Sequence, residues 1–187
     1  RGPDPVHLSV VYAGPWAHRA LILRKRKGLE RLISVDAGHP DMHEDGWAFE
    51  TDDQGATGDR LFGSAFARDI YLRADASMTG RVTVPILWDK KQGKIVSNES
   101  SEIIRMFNSA FDGITGNTLD LWPVELRDEI EVVNSRIYDT LNNGVYKSGF
   151  ASTQQAYAAA VVPPFDTLEW LAEPLPAHRH PMGHRNP

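Results

Sequence analysis

The amino-acid sequence predicts an α/β domain followed by an all-helical domain. Up to about residue 110, short runs rich in β-branched and apolar residues alternate with segments whose apolar residues recur at helical spacing. Beyond about residue 120, only the helical spacing remains. The first part has the order strand, helix, strand, then strand, strand, helix, which is thioredoxin-like. We place this domain at residues 1–112 and the helical domain at residues 118–187.

The first predicted strand runs directly into a basic helix. Residues 6–12 are rich in β-branched and aromatic side chains, which predicts a buried strand that includes Tyr12. Pro15 has a backbone angle preset for the first turn of a helix, so Gly14 takes the N-cap position before it. The N–H groups and the positive dipole end of the helix converge there and would activate a cysteine. Gly14 can cap the helix but offers no reactive group.

Further elements complete the predicted α/β domain. They are a strand at residues 32–39, a helix at 65–74, a hairpin of residues 82–88 and 94–96, and a helix from about residue 100 with Ile103, Ile104 and Phe107 on its apolar face. Pro85 lies inside a predicted strand, which indicates an edge, a bulge or a cis peptide bond. Residues 41–80 are polar and glycine-rich up to about residue 63, and we expect a long loop with a functional role there.

The helical domain begins after a short linker at residues 113–117. Pro123 opens a long helix, whose apolar stripe consists of Leu126, Ile130, Val133, Ile137 and Leu141. Another helix starts near Thr153, but Pro163 and Pro164 follow, and a proline inside a helix costs about 3 kcal/mol. The sequence therefore predicts that this helix stops and that the tail is irregular from about residue 163.

Composition excludes several functional classes. The chain has 187 residues, 41% of them apolar, and a net charge of -5 without a basic block, which argues against nucleic acid as a partner. No apolar run approaches the ~20 residues of a membrane-spanning helix, and without a signal-peptide pattern we expect a cytoplasmic protein. The chain has no cysteine, which removes disulfides, cysteine-based zinc sites and thiol catalysis together.

The histidines do not predict a metal site. His39 and His43 are four residues apart, but Pro40 argues against a helix that would bring them together. Three more histidines lie in the proline-rich tail, between residues 178 and 184. We expect solvated loop histidines and no bound metal.

Five motifs, in order along the chain, are similar to those of one known family. They are residues 14–19 (Gly-Pro-Trp-Ala-His-Arg), 44–47 (Glu-Asp-Gly-Trp), 79–85 (Thr-Gly-Arg-Val-Thr-Val-Pro), 97–100 (Ser-Asn-Glu-Ser) and 142–150 (Asn-Asn-Gly-Val-Tyr-Lys-Ser-Gly-Phe). Together they resemble the glutathionyl-hydroquinone reductases, the Xi-class branch of the glutathione transferase superfamily. The resemblance implies a thioredoxin-like domain followed by an all-α glutathione-transferase domain, assembled as a homodimer.

The same resemblance implies glutathione as a co-substrate and glutathionyl-hydroquinones as substrates. Family members use the cysteine of a Cys-Pro-Trp-Ala-His-Arg motif, which attacks the glutathionyl sulfur, and a second glutathione then releases the first as a disulfide. Gly14 stands at the position of that cysteine, so we expect the reductase reaction to be disabled or strongly reduced. Tyr146 matches an aromatic residue that faces the quinone, although its position also fits core packing at a helix end.

The resemblance also implies glutathione-binding residues, motif by motif. Trp47 matches a tryptophan that packs against glutathione, and Val84 matches the residue whose backbone pairs with its cysteinyl part. Glu99 and Ser100 match the pair that holds the γ-glutamyl end, and Arg81 adjoins these positions. On the residues alone, Trp47 could equally anchor a long loop, and Glu99 and Ser100 could simply cap a helix.

Three interpretations of the whole chain stay open at this point. The chain is a glutathione-dependent reductase or transferase by descent that lacks its nucleophile, a glutathione-binding module without catalysis, or a fragment without stable function. The last interpretation rests on the length of the chain relative to the family and on its proline-rich residues from 174 onward, which resemble a truncated and divergent helical domain.

Overall fold

The computed structural model describes residues 4–51 and 55–173, which form two units that divide between Leu119 and Asp120. In the first unit the strands are β1 (Val6–Val11), β2 (Ile33–Gly38), β3 (Met42–His43), β4 (Gly46–Trp47), β5 (Ile86–Asp89) and β6 (Lys94–Ser97). Its helices are α1 (Pro15–Arg26), α2 (Ala67–Ala74), α3 (Ser100–Ser109) and α4 (Asp112–Thr115). The succession of β1, α1, β2, β5, β6 and α3 confirms the predicted thioredoxin-like order.

The first unit contains a four-stranded sheet in the order β2, β1, β5, β6. β1 pairs in parallel with β2 and antiparallel with β5, and β5 pairs antiparallel with β6. A crossover through α1 joins the parallel pair, whereas a tight turn joins β5 and β6, where Gly93 has a φ of 66°. β5 begins at Ile86 rather than at residue 82, so the cis peptide bond between Val84 and Pro85 lies just before the strand.

Helices cover both faces of this sheet, because the side chains of each strand alternate between the faces. One face carries a cluster, the α1/α3 core, whose fully buried members include Leu8, Val10, Ala17, Ala20, Ile103 and Phe107. The opposite face carries the α2 core, which includes Ile70, Tyr71, Ile86 and Trp88. Helices α1 and α3 therefore share one face of the sheet, and α2 lies on the other.

Buried polar groups fasten the segment between β2 and α2 to the sheet. Asp36 is 1% exposed and accepts hydrogen bonds from the backbone N–H (2.7 Å) and the Nε (2.6 Å) of Arg60. His7 is also buried, and its Nε2 lies 3.3 Å from Asp36. Burial lowers the pKa of His7, because desolvation outweighs the attraction of the Asp36 carboxylate. The segment contains the short β3–β4 hairpin, which its polar sequence did not predict.

The second unit is helical. A 3-10 turn (Val124–Leu126) precedes α5 (Arg127–Arg136), and a π-helical segment (Ile137–Asn142) follows before α6 (Gly144–Gly149) and α7 (Gln154–Ala172). The five residues of the predicted apolar stripe are half-buried. None of the helices in the described residues is long and apolar enough to cross a membrane.

Helix α7 continues through Pro163 and Pro164 to Ala172, so the predicted stop and the irregular tail from residue 163 are wrong. The prolines lack the N–H groups that would bond to the carbonyls of residues 159 and 160. Packing within the unit offsets this loss, because Pro164 is buried against Gly144 of α6, where a Cβ would lie 2.8 Å from the proline Cγ. The predicted irregular tail beyond residue 173 lies outside the described residues.

Candidate functional site

The turn between β1 and α1 places Gly14 at the N-cap of α1, as predicted. Its N–H donates to the carbonyl of Val11 (3.0 Å), and its own carbonyl accepts from the N–H groups of Ala17 and His18 (3.1 Å each). Its backbone angles, φ -89° and ψ 113°, suit any L-residue. A Cβ on Gly14 would lie 3.3 Å from the Val11 oxygen and 4.0 Å from the Ala17 Cβ. A small side chain therefore fits after a shift of a few tenths of an ångström.

Tyr12 is 55% exposed, so the prediction of a buried tyrosine in the strand is wrong. The ladder between β1 and β2 ends at the pair Val11 and Gly38, and the chain then turns towards α1. Tyr12 thus lies beyond the sheet, although its aromatic ring suits a strand.

At the N-terminus of α3, Glu99 is exposed and Ser100 is buried. Glu99 is the N-cap residue, but its side chain is exposed and makes no capping hydrogen bond. The hydroxyl of Ser97 instead accepts from the N–H of Glu99 (3.0 Å) and donates to the carboxylate of Glu102 (2.7 Å). Ser97 therefore binds both Glu102 and the N–H of Glu99, and a plain capping role does not explain the Glu99 carboxylate.

Arg19 of α1 reaches the same helix end. Its Nε and Nη2 donate to the hydroxyl oxygen of Ser100 at 3.0 and 2.8 Å, and its guanidinium lies 4.9 Å from the ring centroid of Trp16. Arg19 was not among the predicted site residues. Its position in the first matched motif, three residues after Trp16 and therefore on the same helix face, was the available signal.

A second hydrogen-bonded group ties the segment before β5 to the segment before α3. The hydroxyl of Tyr71 in α2 donates to the carbonyl of Thr83 (2.8 Å). The amide of Asn98 donates both to the Tyr71 hydroxyl (3.0 Å) and to the Thr83 hydroxyl (3.1 Å). Tyr71 is 4% exposed, and its two partners are half-buried, so these bonds are partly buried. We call these three residues the Tyr71 cluster; none of them was a predicted site residue, although Thr83 and Asn98 lie in two of the matched motifs, which was the available signal.

The Tyr71 cluster links the two segments that contain four of the predicted site residues, Arg81, Val84, Glu99 and Ser100. Val84 directly follows Thr83, is half-buried and precedes the cis Pro85, whereas Arg81 is exposed. Within the described residues, the backbone of Val84 forms no hydrogen bond, so its N–H and carbonyl are open to an extended ligand. Glu99 and Ser100 follow Asn98 directly. The structure thus brings the N-terminal end of α1, residues 81–84 and residues 98–100 together within one unit.

Trp47 and Tyr146 occupy different surroundings. Trp47 lies in β4, is half-buried and packs against the α2 core, as Val84 also does, so it anchors the loop while remaining partly exposed. Tyr146 lies on α6 in the second unit, is 38% exposed and stacks on Phe150 with ring centroids 6.3 Å apart. The structure therefore does not support core packing as the role of Tyr146.

The prediction that the histidines are solvated loop residues is wrong for His39 and agrees with the exposure of His43. His39 is only 8% exposed, and its Nδ1 accepts from the N–H of Asp41 (3.1 Å), so it is a buried structural residue. His43 is exposed, and its ring lies 5.3 Å from that of His39. Among the residues that the structure describes, no group of three or more His, Asp or Glu side chains could hold a metal ion. The tail histidines lie outside the described residues.

Comparison with known sequences agrees with the matched motifs. Residues 13–110 match the family described as glutathione S-transferase, N-terminal domain. The chain is 52% identical over 182 residues to glutathionyl-hydroquinone reductase YqjG of Escherichia coli, and 50% identical over 183 residues to glutathionyl-hydroquinone reductase PcpF of Sphingobium chlorophenolicum. The alignments cover 97% and 98% of this chain but 56% and 58% of the two relatives. The chain therefore spans a little more than half the length of these proteins.

Solved structures give the same result. The glutathione-bound structure of YqjG superposes with a TM-score of 0.95 at 52% identity, covering 98% of this chain and 60% of that one. The glutathione S-transferase Xi of Phanerochaete chrysosporium superposes with a TM-score of 0.94 at 48% identity, covering 98% and 63% of the two chains. The Xi glutathione transferase ECM4 of Saccharomyces cerevisiae, in complex with glutathione, gives 0.88 at 36% identity, covering 94% and 61%.

Proposed function

Because this chain belongs to the glutathionyl-hydroquinone reductase (Xi-class) branch of the glutathione transferase family, we propose that its first unit binds glutathione where α1 and α3 begin. One observation carries the proposal: hydrogen bonds from Arg19 to Ser100 and within the Tyr71 cluster hold three motif segments in one place. Glutathione-bound structures of YqjG and ECM4, which this unit resembles, support the same ligand.

The chemistry of each segment suits one part of a γ-glutamyl tripeptide. The exposed Glu99 carboxylate can accept hydrogen bonds from an α-amino group, and the positive end of α3 at Ser100 favours a carboxylate. The open backbone of Val84 can pair with the cysteinyl residue as an added strand would. Trp47 can pack against the ligand, and Arg81 adds an exposed positive charge beside it.

Glutathione binding is testable by isothermal titration calorimetry. We expect the unmodified chain to bind glutathione and Glu99→Ala to bind it about ten- to a hundredfold more weakly, since a hydrogen bond to a charged group contributes about 1.5 to 3 kcal/mol. Glu129→Ala, which removes an exposed carboxylate from α5, is the matched control and should bind like the unmodified chain. Absence of binding at millimolar glutathione would refute the proposal.

We propose further that this chain does not carry out the thiol step of the family reaction. In that step a thiolate attacks the glutathionyl sulfur, and the electron pair of the broken carbon–sulfur bond passes to the ring carbon, which takes up a proton. Gly14 has no sulfur, and the sequence contains no cysteine at any position. Binding without thiol chemistry is the function that these residues support, and reduction of glutathionyl-hydroquinones is the ancestral activity.

Restoring the nucleophile tests this second proposal. Gly14→Cys fits the N-cap with a small shift and places a thiol where the helix dipole lowers its pKa. With a glutathionyl-hydroquinone, we expect the variant to gain one glutathione by intact-mass measurement and to release hydroquinone, whereas the unmodified chain does neither. Ser109→Cys, an exposed thiol at the end of α3, controls for ordinary cysteine reactivity. Turnover by the unmodified chain would contradict the proposal.

We propose that Tyr146, in the second unit, contacts the quinone substrate. Its exposed phenol suits contact with a quinone ring, by stacking and by a hydrogen bond. In the Gly14→Cys background, Tyr146→Phe should slow hydroquinone release without preventing glutathione binding.

We further propose that the protein is cytoplasmic and forms a homodimer. Sedimentation velocity of the purified chain would test the homodimer. A cooperative thermal transition of that sample would argue against a fragment without stable function.

A further inference from the structure

Arg19 and Ser100 form a pair in which the roles of donor and acceptor are fixed. The two Arg19 nitrogens donate to one oxygen, at 3.0 and 2.8 Å, so the Ser100 hydroxyl acts as an acceptor towards the guanidinium. Ser100 is only 3% exposed, whereas Arg19 is partly exposed. Of this pair, Arg19 is therefore the residue with surface that a ligand can reach, whereas Ser100 is almost fully buried.

Two contacts fix the plane of that guanidinium. Ser100 receives its Nε edge, and the indole of Trp16, one helical turn earlier, lies 4.9 Å from its central carbon. A planar donor group held on two sides loses little further freedom when a ligand binds. Arg19 is thus a preorganised cation at the point where α1 and α3 meet.

The charges at the start of α3 match the two ends of an amino acid. Glu99, immediately before Ser100, presents an exposed carboxylate, while Arg19 and the positive end of the α3 dipole lie at Ser100. A free α-amino acid group carries an ammonium and a carboxylate on one carbon atom. Of the parts of glutathione, only the γ-glutamyl end has this pair.

We propose that Arg19 is a specificity-determining residue that binds the α-carboxylate of the γ-glutamyl end, with Ser100 and Trp16 as the residues that position it. The inference rests on the proposed function and refines it. Ser100, which the family resemblance assigns to the ligand, acts here mainly through the arginine. The site consequently selects ligands with a free α-carboxylate over ligands that have only the amine.

A pair of ligands tests this assignment in the intact chain. Calorimetric titrations use glutathione and 4-aminobutanoyl-cysteinyl-glycine, which differs from glutathione only by the loss of that carboxylate. We expect the unmodified chain to prefer glutathione by about tenfold, which is the usual weight of a charge-assisted hydrogen bond. Arg19→Gln should bind glutathione about tenfold more weakly and bind the analogue unchanged, so that the preference disappears. Arg19→Lys should keep part of the preference for glutathione over the analogue.

Controls separate this role from a structural one. Arg26→Gln removes an exposed arginine from the last turn of the same helix and should keep the full preference. Thermal unfolding of each variant reports folding, and Arg19→Lys serves if Arg19→Gln does not fold. An equal loss of affinity for both ligands, or no loss for either, would overturn the assignment while leaving the proposed function intact. A chain that binds no glutathione at all would overturn both.

Discussion

Removing the hydroxyl of Tyr71 is expected to weaken both the fold and glutathione binding. Tyr71→Phe keeps the buried ring in the α2 core but deletes the donor to the Thr83 carbonyl (2.8 Å) and the acceptor for Asn98 (3.0 Å). Each neutral hydrogen bond contributes about 1 kcal/mol net, so the two together amount to about 2 kcal/mol. For a chain of this size that loss corresponds to a melting temperature about 4 to 8 °C lower.

The effect on binding follows from what the cluster connects. Without it, the bond of Asn98 to the Thr83 hydroxyl (3.1 Å) is the one hydrogen bond that the described part of the chain keeps between residues 81–84 and 98–100, so the ligand must restore their relative position when it binds. If half of the lost free energy is expressed in binding, about 1 kcal/mol, the affinity for glutathione falls about fivefold.

The assay is thermal unfolding together with calorimetric titration of glutathione, and Ile70→Val is the matched control. Ile70 is the neighbouring buried residue of α2, and its truncation costs about 1 kcal/mol without touching the cluster. It should lower stability and leave the affinity unchanged. If Tyr71→Phe binds glutathione as tightly as the unmodified chain, the cluster does not position the site and this reasoning is refuted.

Two further predictions concern stability. Gly144→Ala places a Cβ 2.8 Å from the Pro164 side chain and should lower the free energy of unfolding, measured by chemical denaturation, by about 1 to 3 kcal/mol. Gly149→Ala is the control, because a Cβ there meets nothing within 4 Å and should cause no such loss. Equal stability of the two variants would contradict the packing of α6 on α7. Burial lowers the pKa of His7 in the folded chain. Below about pH 6.5 the unfolded chain therefore binds a proton that the folded chain does not bind. The free energy of unfolding then decreases as the pH is lowered, by up to about 1.4 kcal/mol per pH unit. His7→Asn, which does not titrate, should show a shallower loss between pH 6.5 and 5 and the same slope above pH 7; identical pH profiles would show that His7 is not the group responsible.

The sequence predicted those features that depend on neighbours along the chain. The β-branched run of β1, the Gly14 N-cap before Pro15 and the order of the elements are confirmed, because strand propensity, capping and the fixed angle of proline act within a few residues. The cis bond before Pro85 was one of three stated alternatives. The motifs led to the family because they combine residue identity with spacing, and both are properties of the chain alone.

Predictions failed where a tertiary contact outweighed the local preference. Pro163 and Pro164 are helix breakers in isolation, yet α7 continues because Pro164 packs against Gly144, a residue without a side chain. Tyr12 has a strand-forming side chain, but the pairing of β1 ends one residue earlier. Neither outcome can be inferred from propensity, which contains no information about the partner surface.

The sequence by itself thus determined the family, the thioredoxin-like order and the absence of a cysteine at the start of α1. Only the tertiary structure showed that Arg19 meets Ser100, 81 residues further along, and that Tyr71 joins the segments before β5 and α3. The physical reason is that hydrogen bonds between distant residues depend on how the helices pack on the sheet, to within a fraction of an ångström. That packing brings together residues that, along the chain, belong to separate motifs, and it is there that we propose glutathione binds.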